Sequence, residues 1–303
     1  MGEENIKMEL IFKNVSKAYT NKKVVNNISF ELKKPTIFGF LGTNGAGKTT
    51  SIRMLLGIIK KDSGEITLDG KPVNRKNINF GYMPEERGLY PKITVYNQLM
   101  FFSELKGINK KAADTSIKYW LEKLNMMEYF NMEAEKLSKG NQQKIQFILA
   151  VMNDPSLIVL DEPFSGLDPV NTEQLKNVIL DLVKQGKYII MSSHQMNQIE
   201  EFCSDILILD RGKCVLQGNL KEIKDNYETN NVEIITNENI ENYLKQLKLT
   251  NYNKVNNNYL INIKTKDEGL ELFDILVKNK IELIKYELKK PSLHDIFIER
   301  VGK

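Results

Sequence analysis

Two cysteines and two histidines are all that 303 residues contain of the side chains that most readily form disulfides or bind soft metals. Cys203 and Cys214 lack C-x-x-C spacing and sit inside apolar segments, so a reduced, buried thiol is expected at each. No apolar run reaches the roughly 18 residues that a membrane-crossing helix needs. Met1 to Leu10 lacks the apolar core of a secretory signal, which fits a cytoplasmic chain. Gly2 is followed by Ile6 where an N-myristoylation motif wants Ser or Thr, so any membrane contact is expected to come through another protein. Charge of one sign is also missing. The 43 basic and 39 acidic residues are interspersed and leave a formal net charge of +4, which gives no electrostatic footprint for nucleic acid. Nor is there an internal repeat.

What is present is an alternation of apolar runs with helical periodicity. Thr36 to Leu41, Leu157 to Leu160 and Lys187 to Met191 are apolar on both faces, the mark of strands covered by helices in a largely parallel sheet. Helical spacing runs over Thr94 to Lys106, Lys111 to Leu124, Gln142 to Met152 and Thr172 to Lys184. Residues from about 92 to 153 read as a helical insert. Alternation from Asp205 to Gly218, broken at Asp210 to Lys213, signals a hairpin. Asn and Lys then become dense through Lys224 to Asn231, which reads as a polar linker. A chain of this length is expected to hold two domains, here residues 1–224 and 230–303. In the second, strands at Val232 to Thr236, Asn253 to Val255, Tyr259 to Lys264 and Glu282 to Leu288, with helices at Asn239 to Leu247 and Asp267 to Lys278, give β-α-β-β-α-β, the ferredoxin-like order.

Gly42, Thr43, Asn44, Gly45, Ala46, Gly47, Lys48 and Thr49 fit G-x-x-x-x-G-K-[ST], following the strand at Ile37 to Leu41 and opening a helix through Thr50 and Ser51. Glycines let the backbone aim its N–H groups at phosphate oxygens, and the helix start adds partial positive charge. In such a loop Lys48 bridges the β- and γ-phosphates of ATP, and Thr49 offers its hydroxyl to Mg²⁺. Hydrolysis needs more than phosphate binding. Asp161, at the end of a buried strand, is placed to hold Mg²⁺, and Glu162 beside it to take a proton from the attacking water.

Leu137, Ser138, Lys139, Gly140, Asn141, Gln142, Gln143 and Lys144 precede that strand and resemble the signature of the ABC ATPases, usually L-S-G-G-Q, with Lys139 and Asn141 at the third and fifth places. Pro163 to Asp168 looks like the family's D-loop, and Met191 to His194 like its switch histidine. Gly81 to Arg87 resembles the Q-loop, with Glu85 where glutamine is usual. A carboxylate there can still ligate Mg²⁺ but repels phosphates more than an amide does. Tyr19 stands where the family stacks an aromatic ring on adenine, although a core tyrosine of an antiparallel strand explains it nearly as well. Pro84 to Pro91, with Leu137 to Gly140 and the C-terminal extension, looks most like the NatA-type sodium exporter ATPases and related drug-export subunits. Pro291 to Glu299 is similar to the closing helix of that group. His294 has no ligand-type neighbour and reads as a surface residue.

The resemblance implies a P-loop ABC-type α/β domain with a mainly parallel sheet, an antiparallel β subdomain and a helical subdomain, plus a small α+β C-terminal domain. It implies a homodimer in which each ATP-Mg²⁺ lies between the Gly42 to Thr49 loop of one chain and Ser138, Gly140 and Asn141 of the other. The D-loop residue Asp168 lies at that junction, and His194 contacts the γ-phosphate. It also implies a membrane permease as partner and a place at the inner face of the cell membrane. A second reading, a soluble mechanochemical ATPase of the same family, leads one to expect tandem ATPase domains or a long coiled-coil insert, and neither is present. A third, an ATP sensor that does not hydrolyse, conflicts with the intact Asp161, Glu162 and His194 set.

Overall fold

The computed structural model describes residues 8–73, 79–86, 88–227 and 231–301. Arg87, part of the linker expected before Asn231, and most of the segment Met1 to Leu10 lie outside the described residues. In chain order the first elements are strands β1 (Leu10–Tyr19), β2 (Lys22–Leu32) and β3 (Ile37–Gly42), helix α1 (Lys48–Leu55), and strands β4 (Ser63–Leu68), β5 (Lys71–Pro72) and β6 (Phe80–Met83). Helices α2 (Val95–Leu105), α3 (Lys110–Lys123) and α4 (Lys139–Val151) follow, then β7 (Leu157–Asp161), α5 (Pro169–Lys184), β8 (Tyr188–Ser193), α6 (Met196–Phe202), β9 (Asp205–Asp210) and β10 (Lys213–Asn219). The remainder is α7 (Leu220–Asp225), β11 (Asn231–Ile235), α8 (Glu241–Gln246), β12 (Tyr252–Val255), β13 (Asn258–Asn262), α9 (Lys266–Lys278), β14 (Lys285–Lys289) and α10 (Leu293–Val301). Among the described residues no helix is long and apolar enough to cross a membrane.

Contacts divide the chain into a unit ending at Gln217 and one beginning at Gly218. The first unit holds two sheets. A six-stranded sheet has the order β10-β9-β3-β8-β7-β6, and β9, β3, β8, β7 and β6 pair in parallel. Every residue of β3, β7 and β8 is buried, as strands covered on both faces must be. The other sheet, β2-β1-β4-β5, is antiparallel. One core serves both sheets. The Phe30 ring of β2 lies 4.9 Å from Phe12 of β1 and 5.0 and 5.3 Å from Phe38 and Phe40 of β3, so aromatic packing joins them.

Cys203 is buried, and burial raises its thiol pKa far above the ordinary value. Cys214 corrects the sequence expectation: it is exposed, because β10 is an edge strand with half-buried and exposed residues. Helices α4 and α5 begin earlier than apolar periodicity marks them. Ser138 caps α4 by accepting from the Asn141 N–H, and Asp168 caps α5 with Pro169 in its first turn, so polar first turns extend each helix backward. Lys224 and Asp225, read as linker, close α7, whose Leu220 and Ile223 are buried and whose Asn219 cap accepts from the Glu222 N–H.

The second unit has an antiparallel sheet in the order β12-β13-β11-β14, with Leu272 and Leu276 of α9 packed on Val232, Ile234, Tyr259 and Ile261. Glu233, on the inner strand β11, accepts hydrogen bonds from Lys285 Nζ (2.5 Å), Lys289 Nζ (2.8 Å) and Asn258 Nδ2 (3.0 Å). These three donors, Lys285 foremost, push its pKa down to about 2. A carboxyl depressed below its unfolded value of about 4.3 contributes stability that is present above that value and lost as pH falls toward 2. Glu233→Gln is therefore expected to lower the melting temperature at pH 7 by about 4 °C, since both lysine ends are partly solvent-screened. The variant's melting temperature should also fall less than the wild type's between pH 4 and 2, and equal acid sensitivity of the two proteins would refute the assignment.

Candidate functional site

The loop from β3 into α1 is held by backbone hydrogen bonds, one within the loop and others through Gly212 of the β9–β10 turn. Ala46 N–H donates to Thr43 O (3.1 Å), Gly212 N–H to Ala46 O (3.0 Å) and Asn26 N–H to Gly212 O (2.8 Å). Gly47 has φ 106° and a Cβ there would lie 2.4 Å from Val24 O, so only glycine fits. Gly42, at φ 147°, faces the same exclusion from Leu209 O. Gly47 is also the N-cap of α1 and offers no side-chain acceptor, so the first N–H groups of that helix are left for an anion.

A cavity of about 290 Å³ opens over this helix start. Asn44, Gly45, Ala46, Gly47, Lys48, Thr49 and Thr50 line it together with Val24, Glu85 and Glu162. Lys48 is 7% exposed, and its ammonium donates to the carbonyls of Gly42 (2.7 Å) and Thr43 (3.3 Å). Burial lowers its pKa, against the opposing pull of the Glu162, Asp161 and Glu85 carboxylates. A desolvated cation in a cradle of N–H groups suits a polyphosphate.

β7 and β8 deliver the acids. Asp161 ends β7, and its Oδ1 accepts from Ser192 Oγ while Thr49 Oγ1 donates to Oδ2 at 3.2 Å. Burial raises its pKa, the two hydroxyls working the other way. No lysine or arginine among the described residues forms an ion pair with it, so a buried carboxylate beside a threonine hydroxyl fits a divalent cation bound partly through substrate phosphates. Mg²⁺ held in that manner does not require a ready-made cluster of three protein ligands, and none occurs among the described residues.

Glu162 takes φ 53°, a left-handed conformation that is uncommon outside glycine. Its N–H donates to Ser192 O at 3.1 Å. The carboxylate is 8% exposed, with Oε1 accepting from His194 N–H at 2.8 Å and lying 2.8 Å from His194 Nδ1. Oε2 accepts from Ser193 Oγ at 3.2 Å. Ser192 and Ser193, which precede the histidine, each hold one of the two acids, roles that residue type alone does not reveal.

The remaining sequence-derived residues lie elsewhere. Tyr19 ends β1, exposed, and does not line the cavity. Ser138 and Asn141 line a second cavity, of about 550 Å³, with Asn125, Glu128, Tyr129, Lys144, Val170, Asn171 and Gln174. Gly140 is in the first turn of α4, and Asp168 accepts from the Asn171 N–H at 2.9 Å. One chain thus brings the loop, Asp161, Glu162, His194 and Glu85 together but not Ser138, Gly140 or Asn141.

Comparison with known proteins agrees with this geometry. The ABC transporter family model matches residues 25–165, and the model of the C-terminal domain of DrrA1-3-like ATP-binding proteins matches 218–301. An uncharacterized ABC transporter ATP-binding protein of Bacillus subtilis (strain 168), YhaQ, is 44% identical over 97% of this chain and 98% of its own length. The linearmycin resistance ATP-binding protein LnrL of the same organism is 31% identical over 96% of this chain and 97% of its own. A solved ATP-binding subunit of an ABC transporter superposes with a TM-score of 0.66 at 26% identity, covering 71% of this chain and 92% of that one. With a phosphate loop and Glu162 on one cavity, Asp161 and His194 bonded to Thr49 and Glu162 of its lining, and kinship over nearly its whole length, the chain belongs to the ABC transporter ATP-binding proteins and is an ATPase whose hydrolysis is coupled to transport.

Proposed function

We propose that this subunit drives an exporter, pairing with a second copy of itself around two ATP-Mg²⁺ and acting on a membrane permease at the inner face of the cell membrane. The observation that carries the reading is the split site: the phosphate loop and Glu162 line one cavity, whereas Ser138 and Asn141 line another. Two chains meeting head to tail bring the halves together, with Ser138, Gly140 and Asn141 of each facing the γ-phosphate on the other's loop. On this reading Asp168 lies beside that junction, and Tyr19, exposed at the end of β1 and outside the lining of the phosphate cavity, supplies the ring that stacks on adenine. The N-terminus of α4 favours that anion.

Thr49 and Asp161, with Glu85 as a further oxygen donor, would hold Mg²⁺, which would neutralise charge on the phosphates. Lys48 binds the β- and γ-phosphates. Glu162 takes the proton of the attacking water, its carboxylate aimed by Ser193 and by the N–H of His194. His194 holds Glu162 through Nδ1, which leaves the other nitrogen of its half-exposed ring for contact with the γ-phosphate. Loss of that phosphate removes the contact shared by two chains and lets the pair open.

Of the two cargoes expected, sodium or a drug, the likeness to a linearmycin resistance ATP-binding protein supports outward transport of a drug. Residues 218–301 form an accessory domain whose element order and sheet order fit the ferredoxin-like split unit.

Ser138→Asp tests the shared site. Asp caps a helix as well as Ser does, so α4 and the thermal stability of the chain are retained. Its carboxylate, however, opposes a phosphate across the junction. ATP-driven dimerisation, followed by sedimentation velocity with a non-hydrolysable ATP analogue, is expected to weaken at least about tenfold. Undiminished association would put Ser138 outside the nucleotide contact.

A further inference from the structure

Gln143 sits in the second turn of α4 and is 2% exposed. Its Nε2 donates to two backbone carbonyls, Glu162 O at 3.0 Å and Pro163 O at 3.2 Å. Glu162 O also accepts from the Ser165 N–H at 3.2 Å, and Leu167 N–H donates to Phe164 O at 3.2 Å. The left-handed turn at Glu162 is therefore pinned by Ser192 O of β8, from inside by the 162–168 segment, and from α4 by one amide. A second contact lies one turn earlier, where a Cβ on Gly140 would be 3.3 Å from Gly166 O and 3.4 Å from Leu167 Cδ2. The first two turns of α4 thus rest on the 162–168 segment at two separate points.

We propose that Gln143 is a positioning residue that makes the Ser138 to Gly140 turn and the Glu162 carboxylate of the same chain move as one body. A non-glycine residue at φ 53° keeps that conformation only where its surroundings over-determine it; β8 and His194 hold its N–H and carboxylate, and both hydrogen bonds that reach the turn from α4 come from this single amide. On the shared-site reading proposed above, Ser138 and Gly140 touch the nucleotide held by the partner, whereas Glu162 acts on the chain's own. Gln143 then reports occupancy of one site to the base of the other, and the two sites of a dimer fire in a coupled manner.

The experiment compares the full chain with Gln143→Met and Gln143→Lys. Met fills the same volume without a donor, and Lys restores N–H donors at similar reach. Gln143→Met is expected to lose kcat by up to about a hundredfold, since misplacement of a reacting group by about 1 Å carries that penalty. Its affinity for a fluorescent ATP analogue and its melting temperature stay near wild type, and its Hill coefficient for ATP falls toward one. Gln143→Lys is expected to recover most of the kcat. A Met variant with wild-type kcat and Hill coefficient overturns the proposal, as does a loss of kcat that appears only together with lost nucleotide affinity or lost stability. Failure of the shared-site reading shows separately, as a wild-type chain that turns over ATP with no ATP-driven dimer.

Discussion

Glu162→Gln is expected to lower ATP turnover about a thousandfold while leaving ATP bound. The substitution keeps shape and polarity: an amide at this position still accepts from the Ser193 hydroxyl or the His194 N–H, whose donors lie 3.2 and 2.8 Å from the present carboxylate oxygens. What it removes is a basic oxygen able to take the proton of water, a contribution worth about 10²–10⁴ in rate. Lys48 and the N–H cradle are untouched, so the triphosphate remains in place. With its γ-phosphate intact, the contact shared by two chains persists and the dimer accumulates instead of opening. Phosphate release and sedimentation in the presence of ATP check the two halves together. Wild-type phosphate release from this variant would remove Glu162 from the chemistry, and a monomer in saturating ATP would remove the trapped state.

The phosphate loop can be read directly from residue order because its constraint is local. Gly42 and Gly47 stand where backbone angles and neighbouring carbonyls exclude a Cβ, and the lysine that follows is chosen by charge. The acids are legible for a similar reason, since Leu157 to Leu160 is apolar on every face and its first polar residues mark a buried strand reaching the sheet's edge of chemistry. Helix starts are harder. Residues 139–141 of α4 and 169–171 of α5 carry little apolar periodicity, so their positions rest on cap hydrogen bonds to Ser138 and Asp168. Least legible are contacts between distant segments. Gln143 meets Glu162 from 19 positions away, and Ser192 meets Asp161 from 31; glutamine and serine are too common for residue type alone to reveal either pairing. Exposure of Cys214 likewise follows from β10 being at a sheet edge, which no local pattern discloses.

Gly81→Ala is expected to cost about 3 kcal/mol or more and to lower the melting temperature by roughly 10 °C. Gly81 lies on β6, where α4 crosses the sheet, and a Cβ built on it would sit 1.8 Å from the carbonyl oxygen of Ala150 and 3.0 Å from the Pro155 ring. The obstacle is backbone, so no rotamer change relieves it and α4 must retreat by more than an ångström. Retreat of α4 opens the contact with β6 and β7, and it also displaces the other end of the same helix, where Ser138, Gly140 and Gln143 lie. The single methyl is therefore expected to reduce ATP turnover at temperatures where the variant is still folded, although Gly81 does not line the nucleotide cavity. Thermal unfolding followed by circular dichroism, together with phosphate release measured well below the transition, separates the two effects. A melting temperature within about 2 °C of wild type would mean that α4 and β6 do not pack this closely, and normal turnover in a destabilised variant would mean that the helix bends at Ala150 without moving its first turns.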